Sequence, residues 1–390
     1  MSRTIVISGL GAVCPAAAGH EALWELFPRD GHEPVGTVAP ERIPDAVFDN
    51  QPAQLRHMDR LGRISLAATT LAIEDSRLAT SPGDPRQTGV VFASGHGCLP
   101  TNEEYLEGIL ERGPRYGNPV VFQNTVTNAA TGYLSMVHDL RGPTATLCSG
   151  WAAGLEALRF GGQQIDEGRA ERMVVGSADT VSPRLLEGLS LQGWLGPPGM
   201  TRPYAEESNG MRVSEAACTL VLEEQSRARA RGARVYAEVA GTGQRGGPPQ
   251  AQARTLAHAV RDALSLAEIE PERLGAVFSS ANGRRDFDAW EYRALHEALG
   301  EHAARVPVTC PKAVLGETFS ASGTLAVLLA ALALDTGWVP GIPGSPRPGP
   351  GSELRLVTGA ARRLTPEWVL VTALGAEGSA VAVVLRRSRP

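Results

Sequence analysis

The chain has 390 residues, 43% hydrophobic and 20% charged, with a net charge of −5. That is enough for one large core or two fused units, and the mildly acidic balance gives no reason to expect a nucleic-acid or anionic-membrane partner. No stretch reaches the roughly 18 uncharged apolar residues of a membrane span. Residues 4–13 read as a strand that begins almost at once, not as a signal peptide.

Further strands are predicted at 88–93, 144–148, 172–176 and 217–223. A second series follows at 235–240, 276–280, 306–310, 369–373 and 380–385. Residues 152–167 and 320–336 read as helices, the second with leucines on nearly every face, as a buried helix requires. Two βα series, each with a central buried helix after a short strand, predict a duplicated α/β fold of layered sheets. We divide it into halves at 1–232 and 233–390 that form one compact unit. The Pro/Gly-rich stretch 339–352 reads as a surface loop, and the charge-rich stretch 223–234 as a solvated helix.

Gly9-Leu10-Gly11-Ala12 follows a strand but lacks the third glycine and the later acidic residue of a dinucleotide fingerprint, so a tight strand exit is the better reading. Cys14, Cys98, Cys148, Cys218 and Cys310 are far apart and odd in number. They read as reduced, mostly buried thiols of a cytoplasmic protein. The eight histidines form no HxxxH pair, and neither a metal nor a cofactor is expected. Lys312 is the only lysine.

The most informative position is Trp151. A β-branched strand (Thr144-Ala145-Thr146-Leu147-Cys148), a small-residue turn (Ser149-Gly150) and an Ala/Leu-rich helix surround it. A strand-to-helix elbow of this kind presents one side chain at a helix N-terminus, a common way to expose an activated nucleophile. An indole can neither attack a carbonyl nor titrate near neutral pH.

Several segments together resemble the ketosynthase family of the thiolase fold. They are Ile5 through Pro15, Gly176-Ser177-Ala178-Asp179, Arg202-Pro203-Tyr204, Asn209-Gly210-Met211, Glu215-Ala216-Ala217, Leu220-Val221-Leu222-Glu223 and Lys312-Ala313-Val314-Leu315-Gly316. The resemblance implies an α/β thiolase-like fold in five layers, α-β-α-β-α, with no cofactor. Active members use one Cys and two His. The flanking anchors Gly142-Pro143 and Gly154-Leu155 place the Cys position at Trp151, and the two His positions fall on Asn282 and Glu317. The catalytic set is therefore degenerate at all three. The short Gly283-to-Asp288 loop is similar to that of chain length factors, the inactive subunits of type II polyketide synthases. Those subunits form an obligate heterodimer with a catalytic ketosynthase, which receives units from an acyl carrier protein. The aromatic-polyketide members place Gln at the position of Trp151, so the tryptophan points to a divergent branch serving polyene or other reduced chains.

On that resemblance Trp151 fills the vacant acyl pocket, and Lys312 forms a structural ion pair with Glu317. Leu99, Asn102 and Leu106, at i, i+3 and i+7 of a helix over 99–110, line a product tunnel with Tyr133 and Met136. A buried structural thiol is the reading for Cys148. Two rival readings remain open at this point. One is a catalytic ketosynthase-like acyltransferase using Cys148. The other is a malonyl-carrier decarboxylase using Asn282.

Overall fold

The computed structural model describes residues 3–27, 57–78, 83–197, 201–343, 349 and 353–388. The first five main strands are β1 (Ile5–Cys14), β2 (Thr88–Ala93), β3 (Thr144–Leu147), β4 (Arg172–Asp179) and β5 (Ala216–Glu224). The next five are β6 (Ala237–Gly246), β7 (Ala276–Phe278), β8 (Pro307–Thr309), β9 (Trp368–Leu374) and β10 (Ser379–Arg387). They lie in the orders β3-β2-β4-β5-β1 and β8-β7-β9-β10-β6. Within each set the first three strands are parallel and the last two join antiparallel. The second half thus repeats the first. Ile5–Ile7 of β1 pairs with Ala237–Val239 of β6 and links the two sets.

The helices are α1 (Arg60–Asp75), α2 (Leu99–Arg112), α3 (Ala129–Val137), α4 (Ala153–Asp166), α5 (Pro183–Leu191), α6 (Gln252–Leu266), α7 (Arg285–Leu299) and α8 (Ser320–Thr336). Helices α4 and α8 hold equivalent places after β3 and β8, pack on each other and touch strands of both halves. Every residue of α8 from Ser320 to Leu334 is buried, which its all-round apolar surface predicted. Helix α1 covers the outer face of β1, β4 and β5, and α6 that of β6, β9 and β10. These are the five expected layers.

Two expectations need correction. Gly9 and Gly11 do not mark a strand exit; they lie inside β1. A Cβ at either would overlap a carbonyl of α1, at Ala72 and Ala68. Gly241 and Gly243 in β6 meet Ala263 and Ala259 of α6 in the same way. The G-x-G pairs are where a helix crosses close over the first strand of each half. The stretch 223–234 is not simply a solvated helix either. Glu223 ends in the core and accepts from Arg231 Nε at 2.9 Å and Arg172 Nε at 3.3 Å, leaving only Gln225–Ala230 helical. Such a buried charge is tolerated because it is fully paired. Finally, the predicted loop over 339–352 falls largely outside the described residues; Trp338–Val339 forms a short strand before it.

Burial leaves one pH-sensitive group near the α1–α3 contact. His138 lies 3.3 Å from Thr70 Oγ1, and desolvation pushes its imidazole down to about 4. The folded pKa is below the unfolded one. The stability it contributes is therefore present above about 6.5 and lost as pH falls toward 4. Lowering pH from 7.5 to 5 should cost at most about 2 kcal/mol through this group. His138→Gln should flatten that acid limb in urea titrations at the two pH values; an unchanged slope would assign it to other groups.

Candidate functional site

Among the described residues, strand β3 is the outermost strand of its half and pairs only with β2. After it the chain turns through Gly150, at φ 98°, and enters α4. Trp151 sits on this elbow with 6% of its surface exposed. Its ring meets Phe319 at 5.3 Å and Trp194 at 5.8 Å edge-on, and Phe287 at 6.0 Å in a tilted arrangement. The Arg284 guanidinium stacks 3.9 Å over Trp194. Aromatic rings in these geometries attract beyond their area of burial. What remains of a cavity beside the indole is about 10 Å³, lined by Ser280, Lys312 and Thr372 among others. That is scarcely room for one water.

Asn282 and Glu317, the other two positions singled out in the sequence, are joined directly. Asn282 follows β7, and its Nδ2 donates to Glu317 Oε2 at 2.9 Å. Lys312 Nζ donates to the same oxygen at 2.8 Å, the ion pair the sequence suggested. Glu317 Oε1 accepts from the Phe319 amide and from Ser322 Oγ, both at 2.9 Å. All three side chains are buried. With four donors around it, the carboxylate has little capacity left for a reacting group. The Asn282 Oδ1 is also used, by the Arg284 amide at 3.1 Å.

Phe319 connects this pair to the elbow. Its amide is on Glu317 while its ring lies between Trp151 and His96, the latter 4.3 Å away. It adopts φ 52°, unusual for an aromatic residue, and the contacts on both sides hold it there.

The loop carrying Asn282 is fixed by two acids of α7. Asp288 accepts from the amides of Asn282 (2.9 Å), Gly283 (3.1 Å) and Tyr204 (2.9 Å). Burial nevertheless pushes its carboxyl up to about 7. Glu291 accepts from the Ser280 amide, Ser279 Oγ, Tyr204 Oη and Thr372 Oγ1. In the sequence, Asp288 stood out only as the end of a shortened loop.

Cys148 requires a correction. It lies beyond the end of β3 and is exposed, because an outermost strand leaves the following residue uncovered. The other four cysteines are free and buried. Although the residue is exposed, its sulfur is partly shielded, and that desolvation, with the charge on Asp179, pushes the thiol's pKa up, opposite to what a nucleophile needs.

Leu99 and Asn102 are half-buried on α2, and Leu106, one turn on, is 54% exposed. Tyr133 turns toward Gly62 of α1 and donates to Asn124 Oδ1 at 2.9 Å, whereas Met136 is 71% exposed. The two α3 residues therefore point different ways. Among the described residues no group of His, Cys, Asp and Glu could hold a metal, and no helix is long and apolar enough to cross a membrane.

A five-stranded α/β unit built twice, with an elbow at the central helix layer, defines the thiolase class of fold. The beta-ketoacyl synthase N-terminal domain matches residues 2–228 and the C-terminal domain matches residues 235–344. The chain belongs to the beta-ketoacyl synthase family. A Streptomyces coelicolor protein named putative polyketide beta-ketoacyl synthase 2 is 34% identical over 99% of this chain and 95% of its own length. A 3-oxoacyl-[acyl-carrier-protein] synthase 2 of Coxiella burnetii is 27% identical over 99% of both chains. Among solved structures, the ishigamide ketosynthase/chain length factor superposes with TM-score 0.89 at 23% identity over 100% of both chains. A type II polyketide ketosynthase in complex with its acyl-carrier protein gives 0.88 at 22%, again over 100% of both.

Proposed function

We propose that this chain is a chain length factor: the non-catalytic partner of a ketosynthase subunit in a type II polyketide synthase. The observation that carries this reading is the closed site. Trp151, which the resemblance puts in the nucleophile's place, is buried, and Glu317 is bonded to Asn282 and to Lys312. The relatives named polyketide beta-ketoacyl synthase 2 support it. Trp151 in place of Gln favours the branch that makes polyene or other reduced chains. The halves 1–232 and 233–390 act here as one body, in a cytoplasmic assembly consistent with five free thiols.

The surface supports a partner. Of the ten large hydrophobic side chains exposed among the described residues, eight fall between residues 106 and 137: Leu106, Leu110, Tyr116, Val120, Phe122, Val126, Met136 and Val137. Such clustering marks an interaction surface. The unpaired edge of β3 is a strand that another chain can cover. A permanent heterodimer of this kind buries more than roughly 2,000 Å². In it, Leu99, Asn102, Leu106 and Met136 form part of the tunnel wall, with Tyr133 turned away toward α1, and the carrier protein delivers units mainly through the catalytic partner.

Coexpression with a matching ketosynthase and carrier protein tests the reading by product mass. The pair should make a defined product, this chain alone none, and Leu106→Trp in the pair should shorten the chains released. Full activity of the ketosynthase without this chain, or normal-length products from Leu106→Trp, would count against it. Turnover of malonyl-carrier protein by the purified chain would favour a decarboxylase instead.

A further inference from the structure

The elbow is closed from a second side, by a residue outside all the matched motifs. Strands β9 and β10 are joined by a tight turn in which the Gly375 amide donates to Ser379 O at 2.8 Å and the Gly378 amide to Gly375 O at 3.1 Å. The turn carries Glu377 over the elbow. Its Oε1 accepts the Trp151 backbone N–H at 3.1 Å and is held by the Ser379 hydroxyl. Gly150 leaves the space: a Cβ there would overlap the Glu377 carboxylate. A second carboxyl stands close by. Glu156, bonded to Ser149 Oγ, is pushed up chiefly by burial and further by the charge on Glu377.

The backbone N–H of an elbow residue is the donor nearest to an oxyanion forming when that residue's side chain attacks a carbonyl. Here the donor already has an anionic partner. We infer that Glu377 is an internal block, its carboxylate occupying the place at the Trp151 amide that the oxygen of an acyl thioester would need. The inference rests on the non-catalytic reading above and adds to it. Loss of the nucleophile is then not the whole of the disarming, and a thiol restored at position 151 stays unreactive while Glu377 remains.

The test compares Trp151→Cys with Trp151→Cys/Glu377→Gly in the full-length chain, exposed to hexanoyl-N-acetylcysteamine. In the reaction read out, the introduced sulfur bonds to the thioester carbonyl carbon and the carbon–sulfur bond to N-acetylcysteamine breaks. The departing sulfur carries away the proton lost by the cysteine. Mass spectrometry of the intact chain follows the hexanoyl adduct, and iodoacetamide confirms that the thiol is reachable in both variants. The double variant should acylate about a hundredfold faster or more, the scale of one oxyanion donor. Trp151→Cys/Glu377→Gln, which keeps an acceptor at the amide, should stay near the single variant. Equal rates in the single and Gly double variants, no adduct in either, or a Gln variant as fast as the Gly one would each overturn the block. An adduct on the native chain, at Cys148 for example, would instead sink the non-catalytic reading and leave the comparison at position 151 standing.

Discussion

Trp151→Ala should destabilise the folded chain by about 3–5 kcal/mol, the usual cost of emptying a buried aromatic site. The upper part of that range is expected because little around the indole can collapse into the gap. Phe319 is held by its amide bond to Glu317, and Phe287 is itself fully buried. Trp194 is pinned beneath Arg284. Equilibrium urea unfolding with unchanged m-value measures the loss. The opened space is lined by three aromatic rings, so indole added to the variant should bind and restore part of the stability, raising Tm with ligand concentration. Trp151→Phe should cost clearly less. A loss under about 1 kcal/mol for the Ala variant, with no response to indole, would mean that Trp151 is a loosely packed surface residue.

The contacts around Trp151 could be located from the sequence only in part. Trp151, Asn282 and Glu317 could be singled out because each stands at a fixed place in a recognisable motif, and motif spacing is visible whatever side chain occupies the position. The strands were legible because buried β-branched runs such as Val174-Val175 and Val369-Leu370-Val371 have few alternatives. The glycines of β1 were misread because a G-x-G pair signals a turn and a close helix crossing equally well. Only the partner atoms on α1 decide between them. Glu377 gave no signal at all. An acid in a hairpin turn is ordinary on the surface, and its place over the elbow arises from pairing between β9 and β10, more than 200 residues along the chain from Trp151. Cys148 was misjudged for a related reason: composition predicts burial for a cysteine, but an outermost strand has no neighbour to provide it.

Lys312→Met should be nearly as damaging, though through charge and not volume. Lys312 and Glu317 are both buried, and removing one member of a buried pair leaves the other uncompensated, at about 3–5 kcal/mol. The lower end applies here, because Asn282 Nδ2, the Phe319 amide and Ser322 Oγ still donate to the Glu317 carboxylate. Replacing both partners tests whether the pair is stabilising in itself. Lys312→Met/Glu317→Leu should recover part of the loss, since a pair of apolar side chains has no ion to desolvate. Full recovery is not expected, because Asn282, Phe319 and Ser322 then lose an acceptor. Lys312 also provides its own probe. As the only lysine in the sequence, its ε-amino group is the only one an amine-reactive ester can label, and in the native chain it is bonded to Glu317 behind the aromatic cluster. Labelling there should be slow in the native protein and in Trp151→Phe. It should be much faster in Glu317→Gln, where the ammonium loses its carboxylate. Rapid labelling of the native chain would show that the Asn282–Glu317–Lys312 network opens readily, and the site would then be available to a ligand after all.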